Sequence, residues 1–144
     1  TVRGVVDAIV KVARENQETP GITQLCSMMS AEAGEEGHPA RDYLRKRHEA
    51  HLSVFGNVIE ARRAAGKLRE NGLTPRQEAA RIVATWEGLE VFDRLHPGLL
   101  NLPRTLEVTL LESLGLKDGD GDEVIEVPTA VLARWDTQSA PDAR

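Results

Sequence analysis

His48 and His51 stand three positions apart in a stretch whose apolar spacing is helical, so the two imidazoles share one helix face. Imidazoles so placed have three uses. With a third ligand from another helix they bind a metal. In an otherwise apolar pocket they hydrogen-bond the polar group of a ligand. At the edge of a core they are simply satisfied structural histidines. His48-Glu49-Ala50-His51 falls one residue short of the zincin spacing His-Glu-x-x-His. A second group, Trp86, Glu90 and Asp93, follows at helical spacing. Both carboxylates are costly to bury without a partner. They face a ligand, pair with Arg94 or Arg104, or reach solvent near a helix end. Trp86 offers the largest apolar surface for a cavity wall, although as a type it belongs to cores as readily as to ligand sites. Leu25, Met28 and Met29 form either a pliable wall for varied apolar ligands or ordinary core packing. Phe55 lies one turn beyond His51 and joins whatever that face builds.

The remaining motifs carry less. Asp118-Gly119-Asp120-Gly121-Asp122-Glu123 has the alternation of a calcium loop. An EF-hand needs Gly at its sixth position and Glu at its twelfth. Here those positions hold Glu123 and Thr129, so a flexible acidic turn is expected. Cys26 is the sole cysteine and sits in an apolar run, which predicts a buried thiol in a cytoplasmic protein. The sequence holds no glycine-rich phosphate loop, nucleophile elbow or paired-cysteine motif. The expectation is a protein that is not an enzyme and carries no metal or cofactor. No apolar run approaches the roughly 18 residues of a membrane span.

These residues must be positioned by helices. The 144 residues fit one domain, and 40% hydrophobic with 28% charged residues is a globular composition. With two Trp, two Phe and one Tyr, the core rests on Leu, Val, Ile and Ala. A net charge of -5 runs against the basic field of a self-contained nucleic-acid binder. The local clusters Arg41/Arg45/Lys46/Arg47 and Arg62/Arg63/Lys67/Arg69 have acidic neighbours and read as solvated helix surface. Thr1 stands where a Met would begin a whole chain, which points to a piece of a longer protein.

Apolar periodicity predicts helices over 2–17, 20–33 and 39–65, the last opened by His38-Pro39 and closed at Gly66. Thr19-Pro20 reads as a cap followed by proline at the first helical position. Thr74-Pro75-Arg76-Gln77 is a capping box that starts a fourth helix, ended before Pro97-Gly98. That helix has two apolar faces. One carries Ala79, Ile82, Val83, Trp86 and Leu89. The opposite one carries Ala80, Ala84, Gly88, Val91 and Leu95. Two opposite apolar faces imply a second chain. A fifth helix spans 103–114, with Leu106, Leu110 and Leu111 on its apolar side and Gly115 as its stop. A short sixth helix is a candidate over 128–135, and 124–127 is the only β-like run. The domain is drawn over 1–116, and 117–144 is a tail.

This order of segments resembles the C-terminal regulatory domain of TetR-like bacterial transcription repressors. The resemblance is carried by Leu25–Glu32 (LCSMMSAE), His38-Pro39, Ala61–Leu68 (ARRAAGKL), Thr74-Pro75 through Glu78-Ala79-Ala80-Arg81, and Trp86-Glu87-Gly88-Leu89-Glu90. It implies an all-α antiparallel bundle of five to six helices. The last two long helices would pair with their two-fold mates in a four-helix homodimer interface, using Ala80, Ala84, Gly88, Val91, Leu95, Leu106, Leu110 and Leu111. The earlier helices would enclose a pocket for a small, largely apolar effector, lined by Leu25, Met28, Met29, His48, His51, Phe55, Trp86 and Glu90. Operator DNA would be met by an N-terminal helix-turn-helix domain that this chain does not contain. Two other classes stay open: a helical metal protein or enzyme using His48, His51, Glu90 and Asp93, and a dimerisation module with no ligand.

Overall fold

A computed structural model describes residues 1–117, 119–125 and 127. Among these residues the chain is all-helical, with α1 (Val2–Glu18), α2 (Pro20–Glu32), α3 (Arg41–Ala64), α4 (Pro75–Leu95) and α5 (Leu102–Ser113) and no strand. The candidate helix over 128–135 lies outside the described residues. Residues 124, 125 and 127 of the β-like run form no strand.

The helix ends follow from local chemistry. The Thr74 side chain accepts from Gln77 N at 3.2 Å while the Gln77 side chain accepts from Thr74 N at 2.9 Å, completing the capping box. Gly66 and Gly115 follow α3 and α5 with φ of 70° and 63°, a left-handed conformation that favours glycine. Two expected starts differ. Thr19 precedes α2 but makes no side-chain cap; instead the Thr23 hydroxyl donates to the Thr19 and Asn16 carbonyls. His38-Pro39 leads into a turn, in which His38 Nδ1 accepts from Ala40 N, and α3 begins two residues later.

The core is built by one face of each helix except α2. Val2, Val6 and Ile9 of α1, Phe55, Val58 and Ile59 of α3, Ala79 and Ile82 of α4, and Leu106 and Leu110 of α5 are buried together. α3 packs most extensively on α4, and α1 on α5. No residue of α2 is buried. The family resemblance places Leu106 and Leu110 against a partner chain; both are fully enclosed within this one, because α1 covers that side of α5. Leu111 is half-buried against the same core.

Residues 119–125 fold back onto this core. Glu123 O accepts from Val2 N at 3.0 Å and Gly121 O from Arg3 N at 2.9 Å, which satisfies two amides at the start of α1 that have no helical partner. Gly121 is required there: its φ is 104°, and a Cβ would lie 3.1 Å from the Arg3 side chain and 3.2 Å from Arg3 N. Arg62 anchors the same segment from α3. It is 1% exposed, so it is not part of a solvated basic surface. Its Nε donates to Leu114 O at 2.6 Å, Nη1 to Glu123 Oε1 at 2.7 Å, and Nη2 to Gly115 O and Asp120 Oδ2 at 3.0 and 3.3 Å. The acidic turn therefore closes the end of the bundle where α1 begins and α3 and α5 end. Ile125 and Val127 pack against the core beyond it.

Candidate functional site

α2 bridges α1 and α4 without filling the space beside α3. Its inward residues are Thr23, Cys26, Ser27 and Ser30, spaced as one helix face and all short. A cleft of about 850 Å³ is left between α2, the end of α1, the start of α3 and the middle of α4. That size falls in the range of small-molecule sites, roughly 300–1,000 Å³. Val12, Leu44, Val83 and Trp86 supply apolar wall, and the exposed Ile22 and Tyr43 stand at the rim.

The polar groups converge from three helices. His48 Nε2 and Glu87 Oε1 lie 2.6 Å apart across α3 and α4. The Glu87 carboxylate holds the His48 imidazole above its ordinary pKa, and the imidazole holds the carboxyl below its own. His51 behaves in the opposite way. Its ring meets Trp86 edge-on at 5.5 Å, and burial pushes its pKa down to about 4, so it is neutral at pH 7. Glu90 Oε1 accepts from Asn16 Nδ2 and from Trp86 Nε1, both at 3.1 Å. Burial raises the Glu90 carboxyl above its usual range. Arg47 Nη1 lies 3.4 Å from Cys26 Sγ. Cys26 is half-buried on the cleft wall rather than enclosed in a core.

The residues expected at a ligand site divide. His48, His51, Trp86 and Glu90 are brought together on the cleft. Leu25 and Met28 are 56% and 55% exposed on the outer side of α2, and half-buried Met29 does not line the cleft. Phe55 is fully buried in the core one turn below His51. Asp93 lines a smaller neighbouring cleft of about 150 Å³ with Asn16, Glu90 and Arg94. Reading α2 by its apolar residues turned it the wrong way, since its polar face is the inward one. Arg47 and Glu87 were missed, although each adjoins a residue already singled out. Asn16 was missed with less signal, because α1 ends there and nothing marks an asparagine in a last turn.

The outward face of α4 bears Ala80, Ala84, Gly88, Val91 and Leu95, all exposed, with Leu95 at 70%. Phe92, Leu99 and Val108 are exposed as well. Ala84, Gly88 and Val91 also border the cleft, so the stripe and the cleft share an edge.

Among the described residues, no three His, Cys, Asp or Glu side chains are grouped to hold a metal ion, and no helix is long and apolar enough to cross a membrane. No protein-family model, curated protein or solved structure matches the chain.

Proposed function

We propose that the chain is the effector-sensing and dimerisation domain of a TetR-like transcription repressor, with operator DNA bound by a separate N-terminal helix-turn-helix domain. The observation that carries the reading is the cleft. A large opening with apolar walls and a few convergent polar groups is the usual form of a small-molecule site. Its effector is a small, largely apolar molecule whose polar group meets Glu90 or the two histidines. An effector that binds one dimer conformation better than another shifts the population towards it and alters the spacing of the DNA-binding heads. The net charge of -5 fits a part that does not itself touch DNA.

N-phenyl-1-naphthylamine, a neutral fluorescent probe, tests the cleft. It should bind the wild type, and Ser30→Trp, which fills the cleft from the α2 wall, should weaken it at least about tenfold with little change in melting temperature. Binding that ignores Ser30→Trp would remove the site.

The homodimer is tested separately. The outward face of α4 leaves Val91 and Leu95 exposed beside Ala80, Ala84 and Gly88, an apolar helix face with nothing among the described residues to cover it. Sedimentation of the wild type should show a dimer at tens of micromolar, and Leu95→Glu should give a monomer of unchanged helicity. A monomeric wild type would overturn the assignment.

A further inference from the structure

We propose that the cleft selects an amphipathic cation, an apolar body carrying one protonated amine, and that Glu90 receives the ammonium group. The inference rests on the reading of the cleft as a ligand site. Glu90 lies where the large cleft meets the smaller one and lines both. Two neutral donors, Asn16 Nδ2 and Trp86 Nε1, converge on its Oε1 and fix the carboxylate in place. They orient the group without cancelling its charge. No donor reaches Oε2 from the described residues. Arg94 and Arg47 act on Glu90 through space, but their hydrogen bonds go to neutral groups: Arg94 Nη2 donates to Ser27 Oγ at 2.7 Å and Arg47 Nη1 to Cys26 Sγ. A half-buried carboxylate, held in one orientation and lacking a hydrogen-bonded cation, is suited to receive one from a ligand.

The rest of the cleft points to the same sign of charge. Glu15, Glu18, Glu87 and Glu90 line it against Arg47 and His48, and His48 is already paired with Glu87. An anionic ligand would have to reach Arg47 among these carboxylates. The apolar body has its own wall in Val12, Leu44, Val83 and the Trp86 indole, and an aromatic surface favours a nearby ammonium.

Three isosteric competitors decide the question by displacement of N-phenyl-1-naphthylamine at pH 7: 4-phenylbutylamine, 4-phenylbutanol and 4-phenylbutyrate. The amine should compete at least about tenfold better than the alcohol, and the carboxylate worst. Glu90→Gln keeps an acceptor for Asn16 and Trp86. It should abolish the preference, bringing the amine-to-alcohol affinity ratio from at least about ten to about one. Equal binding of amine and alcohol would overturn the proposal, as would an amine preference that survives Glu90→Gln. A preference for the carboxylate that disappears in Arg47→Gln would replace it with an anion site. If the probe binds and none of the three displaces it, the cation proposal falls and the cleft reading stands. If the probe itself does not bind, both fall.

Discussion

Replacing Arg62 with alanine should destabilise the domain by about 3–5 kcal/mol, as expected when one partner of a buried charge network is removed. The guanidinium is enclosed at the end of the bundle and serves four acceptors on the α5 terminus and the segment after it. In Arg62→Ala the Leu114 and Gly115 carbonyls lose donors that water reaches poorly, and Glu123 keeps only Lys67, at 2.6 Å. The fold-back that caps the first amides of α1 loses its anchor at the same time. Arg62→Lys should recover little, because an ammonium on a shorter fork cannot span four acceptors in a fixed plane. Glu123→Gln should cost less than Arg62→Ala, since a neutral amide oxygen still accepts from both cations. Urea unfolding of the three variants measures these differences. A loss below about 1 kcal/mol for Arg62→Ala would show that the network is no stronger than an exposed ion pair.

Arg62 also marks where sequence reasoning stopped. Its neighbours Arg63, Lys67 and Arg69, with acidic residues beside them, make it look like solvated helix surface. Its partners lie 52 to 61 positions away, and no local pattern carries that information. Elements whose causes are local were legible. The Thr74–Gln77 capping box, the glycines after α3 and α5 and the apolar spacing of α1 all act within a few residues, and the helices they bound match the structure closely. The two faces of α4 were legible for the same reason. What faces each of them was not. The family resemblance puts Leu106 and Leu110 against a partner chain, and only the packing of α1 on α5 shows them filled from within. On α2 apolarity alone picks out Leu25, Met28 and Met29 as ligand wall or core, yet Leu25 and Met28 are exposed and Met29 does not line the cleft. A face of Thr23, Ser27 and Ser30 is equally helical, and it is the one turned to the cleft. An open ligand site is where the rule that apolar faces turn inward loses force, because the space beside α2 is not filled by the protein itself.

Stability should fall as pH drops from about 6.5 to 4, and His51 should cause most of the loss. An imidazole in the unfolded chain takes up its proton near pH 6.5, whereas burial beside Trp86 holds His51 unprotonated in the folded chain down to about pH 4. The unfolded state therefore binds more protons throughout that window, and acid favours unfolding. The span corresponds to roughly 3 kcal/mol, fully present as stability above the unfolded pKa and fully lost below the folded one. His48 has the opposite sign. Its pKa is raised by Glu87, so its contribution is complete below the ordinary imidazole value and is lost as pH rises through the raised one. Glu90, raised by burial, also favours the folded state in acid and offsets part of the His51 effect. Phenylalanine at position 51 keeps an edge towards Trp86 and removes the titration. Urea unfolding at pH 7 and pH 4.5 should show a large drop in the wild type and a much smaller one in His51→Phe. An equal drop in both would place the acid sensitivity in other groups. The two histidines singled out by their spacing thus shift in opposite directions, His48 upward beside Glu87 and His51 downward by burial. His48 hydrogen-bonds Glu87 across α3 and α4, and His51 is a neutral ring on the wall. Of the two, only His48 hydrogen-bonds a carboxylate of the cleft, and Glu90 is met instead by the neutral donors Asn16 and Trp86.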